Sequence, residues 1–175
     1  MKKNTLSWQP CYFDRYIDQV PDVDLSEALR QSLNDLDTLD LAKIRALGLS
    51  VYAPGKWTLN DLFQHLIDCE RVFAYRAMRF ARNDKTLLPG FDEDVFAENA
   101  GASRRSIDDL LAELRAVRMA SILMFESFDE TALRRTGMAY NAELPVLALG
   151  FVLVGHQIHH FRVMEERYFP MLQTA

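Results

Sequence analysis

The chain has 175 residues, 49% of them apolar and 26% charged, with 7 Gly and 6 Pro, which is the composition of one globular domain over residues 1–175. A chain of that length can bury roughly two-thirds of its unfolded surface, so neither a disulfide nor a structural metal is needed for folding. Twenty basic against twenty-five acidic residues leave a net charge of -5, which argues against sequence-independent binding of nucleic acid.

The N-terminus mixes charged, amide and aromatic residues and has no continuous apolar core of the signal-peptide kind, so a cytoplasmic protein is expected. Cys11 and Cys69 lie far apart and read as reduced thiols. The longest nearly uncharged apolar stretch, 144–155, is shorter than the roughly 18–20 residues of a membrane span, so no membrane partner is expected.

Prolines at 10, 21, 54, 89, 145 and 170 leave long windows that read as helix. In the first, Asp24 and Glu27 suggest a capped start, Leu25 to Leu39 keep helical spacing, and Gly48 stops the helix. In the second, Thr58 caps a helix running to about residue 83, with Leu59, Leu62, Phe63, Leu66, Phe73 and Ala77 on its apolar face. A short helical piece around 94–98 ends at Gly101. The third long helix starts near Ser103 or Ser106 and carries Ile107, Leu110, Leu111, Leu114 and Phe125 on one face. A second stripe on it, Ala112, Met119, Ala120, Leu123 and Met124, suits either a dimer contact or a further buried side.

Residues 128–143 read as loop, and Pro145 opens a last helix reaching Phe169. No stretch alternates with strand period. The expected fold is all-α, a four-helix bundle, and the length of the 82–103 connection leaves room for a long crossover.

Three of the four histidines fall in the string GHQIHH, 155–160. At about 100° per residue, His156 and His160 lie about 40° apart on one helix face, one turn from each other, whereas His159 points away. His65 sits at the edge of the second helix's apolar face, from which bundle packing can bring it opposite that pair. Three imidazoles, His65, His156 and His160, would leave a divalent metal with an open position, as catalytic sites require. A hydrogen-bonded core histidine is the competing reading of each. Imidazole suits zinc or nickel, with manganese or iron as alternatives.

The strings GKWTLNDLFQHLIDCERVFAYRAMRFARND, LPGFDED, AVRMASI and GHQIHHFRVMEERY occur in an order that resembles the DinB family of DinB/YfiT-like metalloenzymes, from about Tyr12 to Tyr168. The resemblance implies a bundle with a long crossover, a homodimer, and a divalent metal on His65, His156 and His160. Some similar proteins are transferases or isomerases that use low-molecular-weight bacterial thiols, while most have no assigned reaction, and a thiol-dependent S-transferase acting on a small molecule is the favoured expectation. A metal-dependent hydrolase and a non-enzymatic metal-binding stress-response or interaction module are the alternatives.

Neighbouring residues have double readings. Cys69, one turn after His65, reads first as a small buried apolar side chain and second as a fourth ligand. Glu70 falls toward the packed face and requires a partner such as Arg76 or Arg118, and those arginines could instead meet an acidic substrate. His159 has room for a supporting role beside the site.

Overall fold

The computed structural model describes residues 1–173; residues 174–175 of the expected domain lie outside the described residues. A one-turn helix α1 (Asp14–Ile17), not anticipated from the sequence, precedes α2 (Leu25–Asn34). Asp24 does not cap α2 through its side chain; its carboxylate instead meets the N-terminal ammonium at 3.1 Å. The first window is not one helix. It breaks after Asn34 into a 3-10 turn, Asp35–Thr38, where the Thr38 hydroxyl donates to the Asp35 carbonyl, and resumes as α3 (Leu41–Leu47) capped by Asp40. Short polar side chains that bond nearby backbone compete with the helical ladder in this way.

Helix α4 (Leu59–Ala81) has the expected start, a reciprocal capping box between Thr58 and Asp61. Asp92 caps α5 (Glu93–Ala100), which Gly101 ends in a left-handed conformation, and Ser106 caps α6 (Ile107–Glu126).

The 128–143 segment is not a loop throughout. Asp129 caps α7 (Glu130–Arg134), and β1 (Thr136–Ala139) pairs antiparallel with β2 (Ala142–Pro145). The backbone of Leu88 adds to this hairpin, donating to the Met138 carbonyl and accepting from the Tyr140 amide. Strands of four residues are too short to show alternation, and their third partner comes from a distant part of the chain.

Helix α8 (Val146–Val163) continues as a π turn, Met164–Tyr168, and a 3-10 turn, Phe169–Gln173, so Pro170 does not end it. The whole Val146–Gln173 stretch is long and apolar enough to cross a membrane by length and composition, which corrects the shorter estimate from sequence. Its most apolar window is 67% buried within the fold, however, as in a core helix.

The bundle consists of α2, α4, α6 and α8. Helices α2 and α4 each pack on both α6 and α8, which places α2 across from α4 and α6 across from α8. Side-chain pairs give the directions. Gln64 meets Arg105 and Arg71 meets Glu113, so α4 and α6 run parallel. Leu25 lies beside Gly150 and Ser32 beside Gln157, so α2 and α8 are parallel as well. Trp57 meets Tyr168 and His65 meets His156, which sets α4 against α8. The winding is up-down-down-up. The connection between α4 and α6 therefore returns the full length of the 23-residue α4, about 35 Å, and is the long crossover. The Asn60 amide holds its end by donating to the Ala102 and Arg105 carbonyls.

Two apolar clusters fill the bundle, one around Phe80, Phe125 and Phe151, the other around Phe63, Leu110 and Tyr168. At the level between them lie buried polar residues from all four helices, among them Ser32, Glu70, Arg118 and Gln157. Arg118 donates to Glu70 at 2.8 Å, to the Leu153 carbonyl at 3.3 Å and to the Ser32 hydroxyl. Gln157 donates to the Ser32 carbonyl at 2.7 Å. Glu70 and Gln157 each follow a residue of the site described next, so this layer sets the register of α4 against α8 there.

Candidate metal centre

Helices α4 and α8 bring His65 and His156 together across the bundle, with Nε2 to Nε2 at 3.0 Å. His160, one turn along α8, places its own Nε2 3.0 Å from that of His156. The Cys69 thiol stands 3.6 Å from both ring nitrogens of His65, against the ring rather than on one lone pair. His65, Cys69 and His156 form the group whose ligand atoms all lie within 4.8 Å of one another.

This corrects the expected all-imidazole set. Cys69 is buried, as the first reading required, but its sulfur faces the histidines and belongs to the donor cluster. The four-residue spacing from His65 was the signal for it.

The arrangement fits a cation. The Nε2 of His156 carries either one proton or one lone pair, so it cannot form ordinary hydrogen bonds with two other Nε2 atoms at once. Ligands around a tetrahedral ion with metal–nitrogen distances of about 2.0–2.1 Å are themselves about 3.3 Å apart, close to the spacing here. Burial also prepares the rings. It lowers His65 to about 4 and His160 to about 2, and holds His156 well below the usual histidine value. All three are neutral at pH 7, the form that binds metal. Burial pushes the Cys69 thiol up, so an adjacent cation is what would favour its thiolate.

Aromatic rings hold the donors in place. Tyr16 packs edge-on to His156 at 5.1 Å and to His159 at 5.4 Å, while Trp57 lies 4.7 Å from His65. Tyr16 reaches this position because residue 155 is glycine: a Cβ there would stand 2.0 Å from the Tyr16 carbonyl oxygen. The sequence reading missed Tyr16 and Trp57, since nothing local links α1 or the turn before α4 to the histidines. His159 is not in the group of clustered donors; it contacts the ring of His160 at 5.0 Å.

The cluster opens on a cavity of about 500 Å³, lined among others by Tyr16, Trp57, Phe73, Arg76 and Phe91. That is the size and character of a small-molecule site. Of the two partners considered for Glu70, the structure selects Arg118, and Arg76 goes to the cavity wall.

A bundle wound in this way around an imidazole–thiol cluster defines a four-helix protein with a site able to hold a metal ion. The model of the DinB superfamily matches residues 2–164, and the chain belongs to that superfamily. No curated protein matches the chain significantly. A solved structure of similar fold is YfiT from Bacillus subtilis, with a TM-score of 0.65 and 16% identity over 91% of this chain and 87% of that one. YfiT is described as a probable metal-dependent hydrolase with an unusual four-helix bundle topology.

The expectation of a thiol-dependent transferase is overturned by these findings. The cluster already holds a sulfur donor from its own chain, Cys69, and the solved structure of similar fold is described as a probable metal-dependent hydrolase.

Proposed function

We propose that the chain is a metal-dependent hydrolase of a small-molecule substrate. The observation that carries this is the convergence of His65, Cys69 and His156 in the lining of the cavity of about 500 Å³. His160 adjoins them as a further imidazole donor, and the description of YfiT supports the same reaction class. Mixed nitrogen and sulfur donors suit zinc. A divalent ion held there would lower the pKa of bound water to about 7 and polarise a carbonyl oxygen.

The chain's own part is to position and to exclude. His65 on α4 and His156 on α8 are held in register by the buried Glu70–Arg118 and Gln157–Ser32 contacts next to them. Tyr16, Trp57 and Phe73 wall the donors with aromatic surface, which keeps bulk water from the reacting bond and strengthens electrostatic interactions inside. A homodimer belongs to the same proposal, supported by the exposure of Met119 and Leu123 on α6, and sedimentation measures it.

The test is hydrolysis of chromogenic esters and amides by untagged protein, before and after chelation and after reloading with zinc. Activity is expected to vanish on chelation, to return with zinc, and to be lost in His65→Ala and His156→Ala while His159→Ala retains most of it. Rates unchanged by chelation and by His156→Ala refute the proposal.

A further inference from the structure

Arg76 is buried to 6% exposure in the wall of the cavity. Its Nη2 donates to the Pro89 carbonyl at 2.9 Å, and its guanidinium lies 5.8 Å and 5.7 Å from the ring centres of Phe73 and Phe91. Among the described residues no carboxylate pairs with it. Arg118, also buried, shows the usual solution, a direct ion pair with Glu70 at 2.8 Å. Glu93 also borders the cavity, but it is exposed and makes no ion pair with Arg76.

A buried guanidinium remains charged, and a charge removed from water without a counter-ion is costly. Burial accordingly depresses the pKa of Arg76 below the ordinary arginine value. An anion entering the cavity would relieve that cost. The position is suited to a substrate group. Arg76 follows Cys69 by seven residues, so it lies on almost the same face of α4, about 10 Å farther along the axis. Helical side chains lean toward the N-terminus, which brings its head group back toward the cluster.

We infer that Arg76 is the carboxylate-binding residue of this cavity, and that the substrate is a small organic acid with an aromatic or apolar body. The carboxylate sits on the Arg76 guanidinium, the body lies along Phe73, Phe91 and Tyr16, and the group to be cleaved faces His65, Cys69 and His156. The identity of the cleaved group rests on the hydrolase reading; the carboxylate contact does not.

The experiment compares binding of 3-phenylpropionate and its neutral amide, 3-phenylpropionamide, by calorimetry. It uses chelated protein, so that the acid cannot gain affinity by ligating a metal, and it reads binding without turnover. Failure of the hydrolase assay therefore leaves its result intact. The acid is expected to bind at least about tenfold more tightly than the amide, the range of a hydrogen bond to a charged group. That preference disappears in Arg76→Gln, shrinks in Arg76→Lys, which keeps the charge but loses the planar fork, and persists in Arg15→Gln, a change of the other arginine that lines the cavity. Circular dichroism checks each variant, and if Arg76→Gln does not fold, the Arg76→Lys comparison decides. Equal affinities in the unmodified protein, binding of neither probe, or a full preference surviving either Arg76 change overturns the inference.

Discussion

Arg118→Met is the change that most directly tests how the bundle holds its donors in register. Arg118 and Glu70 are each 2% exposed, and Glu70 Oε2 has no hydrogen-bond partner even with the arginine present. Methionine removes the ion pair, the donor to Ser32 and the donor to the Leu153 carbonyl together. Breaking a buried pair from one side costs about 3–5 kcal/mol, because the remaining charge is left uncompensated. Against a total stability of about 5–15 kcal/mol this is a severe loss, equal to a fall in Tm on the order of 10 °C for a chain of this length. The double variant Glu70→Leu/Arg118→Met removes the stranded carboxylate and fills its place with apolar atoms, so it should recover most of the loss. Urea unfolding followed by far-UV circular dichroism measures both, with zinc removed so that ligand binding does not contribute. A single variant destabilised by less than about 1 kcal/mol, or a double variant no more stable than the single, would refute the account of this layer as a paired core element.

Two further outcomes are expected. In metal-free protein, His65 is lowered to about 4 and His160 to about 2, whereas the unfolded chain takes up these protons near 6.5. The unfolded state thus binds more protons below about pH 6.5, so stability is complete above that pH and falls as pH drops toward 4, by up to about 1.4 kcal/mol per unit for each histidine. A stability profile flat between pH 6.5 and 4, or one unchanged in His65→Asn/His160→Asn, would contradict the burial of neutral rings. Gly155→Ala places a Cβ 2.0 Å from the backbone oxygen of Tyr16, which cannot rotate aside. It should destabilise the protein by about 1–3 kcal/mol and weaken zinc binding measured by calorimetry, because Tyr16 is pushed off His156; unchanged stability and affinity would show that α1 is free to shift.

Much of the architecture is legible in the sequence because it depends on local chemistry. Thr58 and Ser106 start α4 and α6 through their own side chains, Gly48 and Gly101 end helices in conformations with positive φ, and the apolar faces mark what is packed inward. The first window does not run as one helix: Leu36 and Leu39 continue the apolar spacing, but Asp35, Thr38 and Asp40 redirect the backbone. The hairpin leaves no periodic signal, because its strands have four residues each and are joined by Leu88, about fifty positions earlier.

The sequence by itself determined three of the long helical segments, room for a long return between α4 and α6, and a one-face pair, His156 and His160, with His65 at the edge of a second apolar face. It could do so because capping, periodicity and chain length are read within a turn or two. The tertiary structure alone decided that Cys69 joins His65 and His156, that Tyr16 presses on them through the gap left by Gly155, and that Arg118 pairs with Glu70 while Arg76 is left facing the cavity. Those outcomes depend on the separation and rotation of helices distant in the chain, which are set by close packing of many side chains at once.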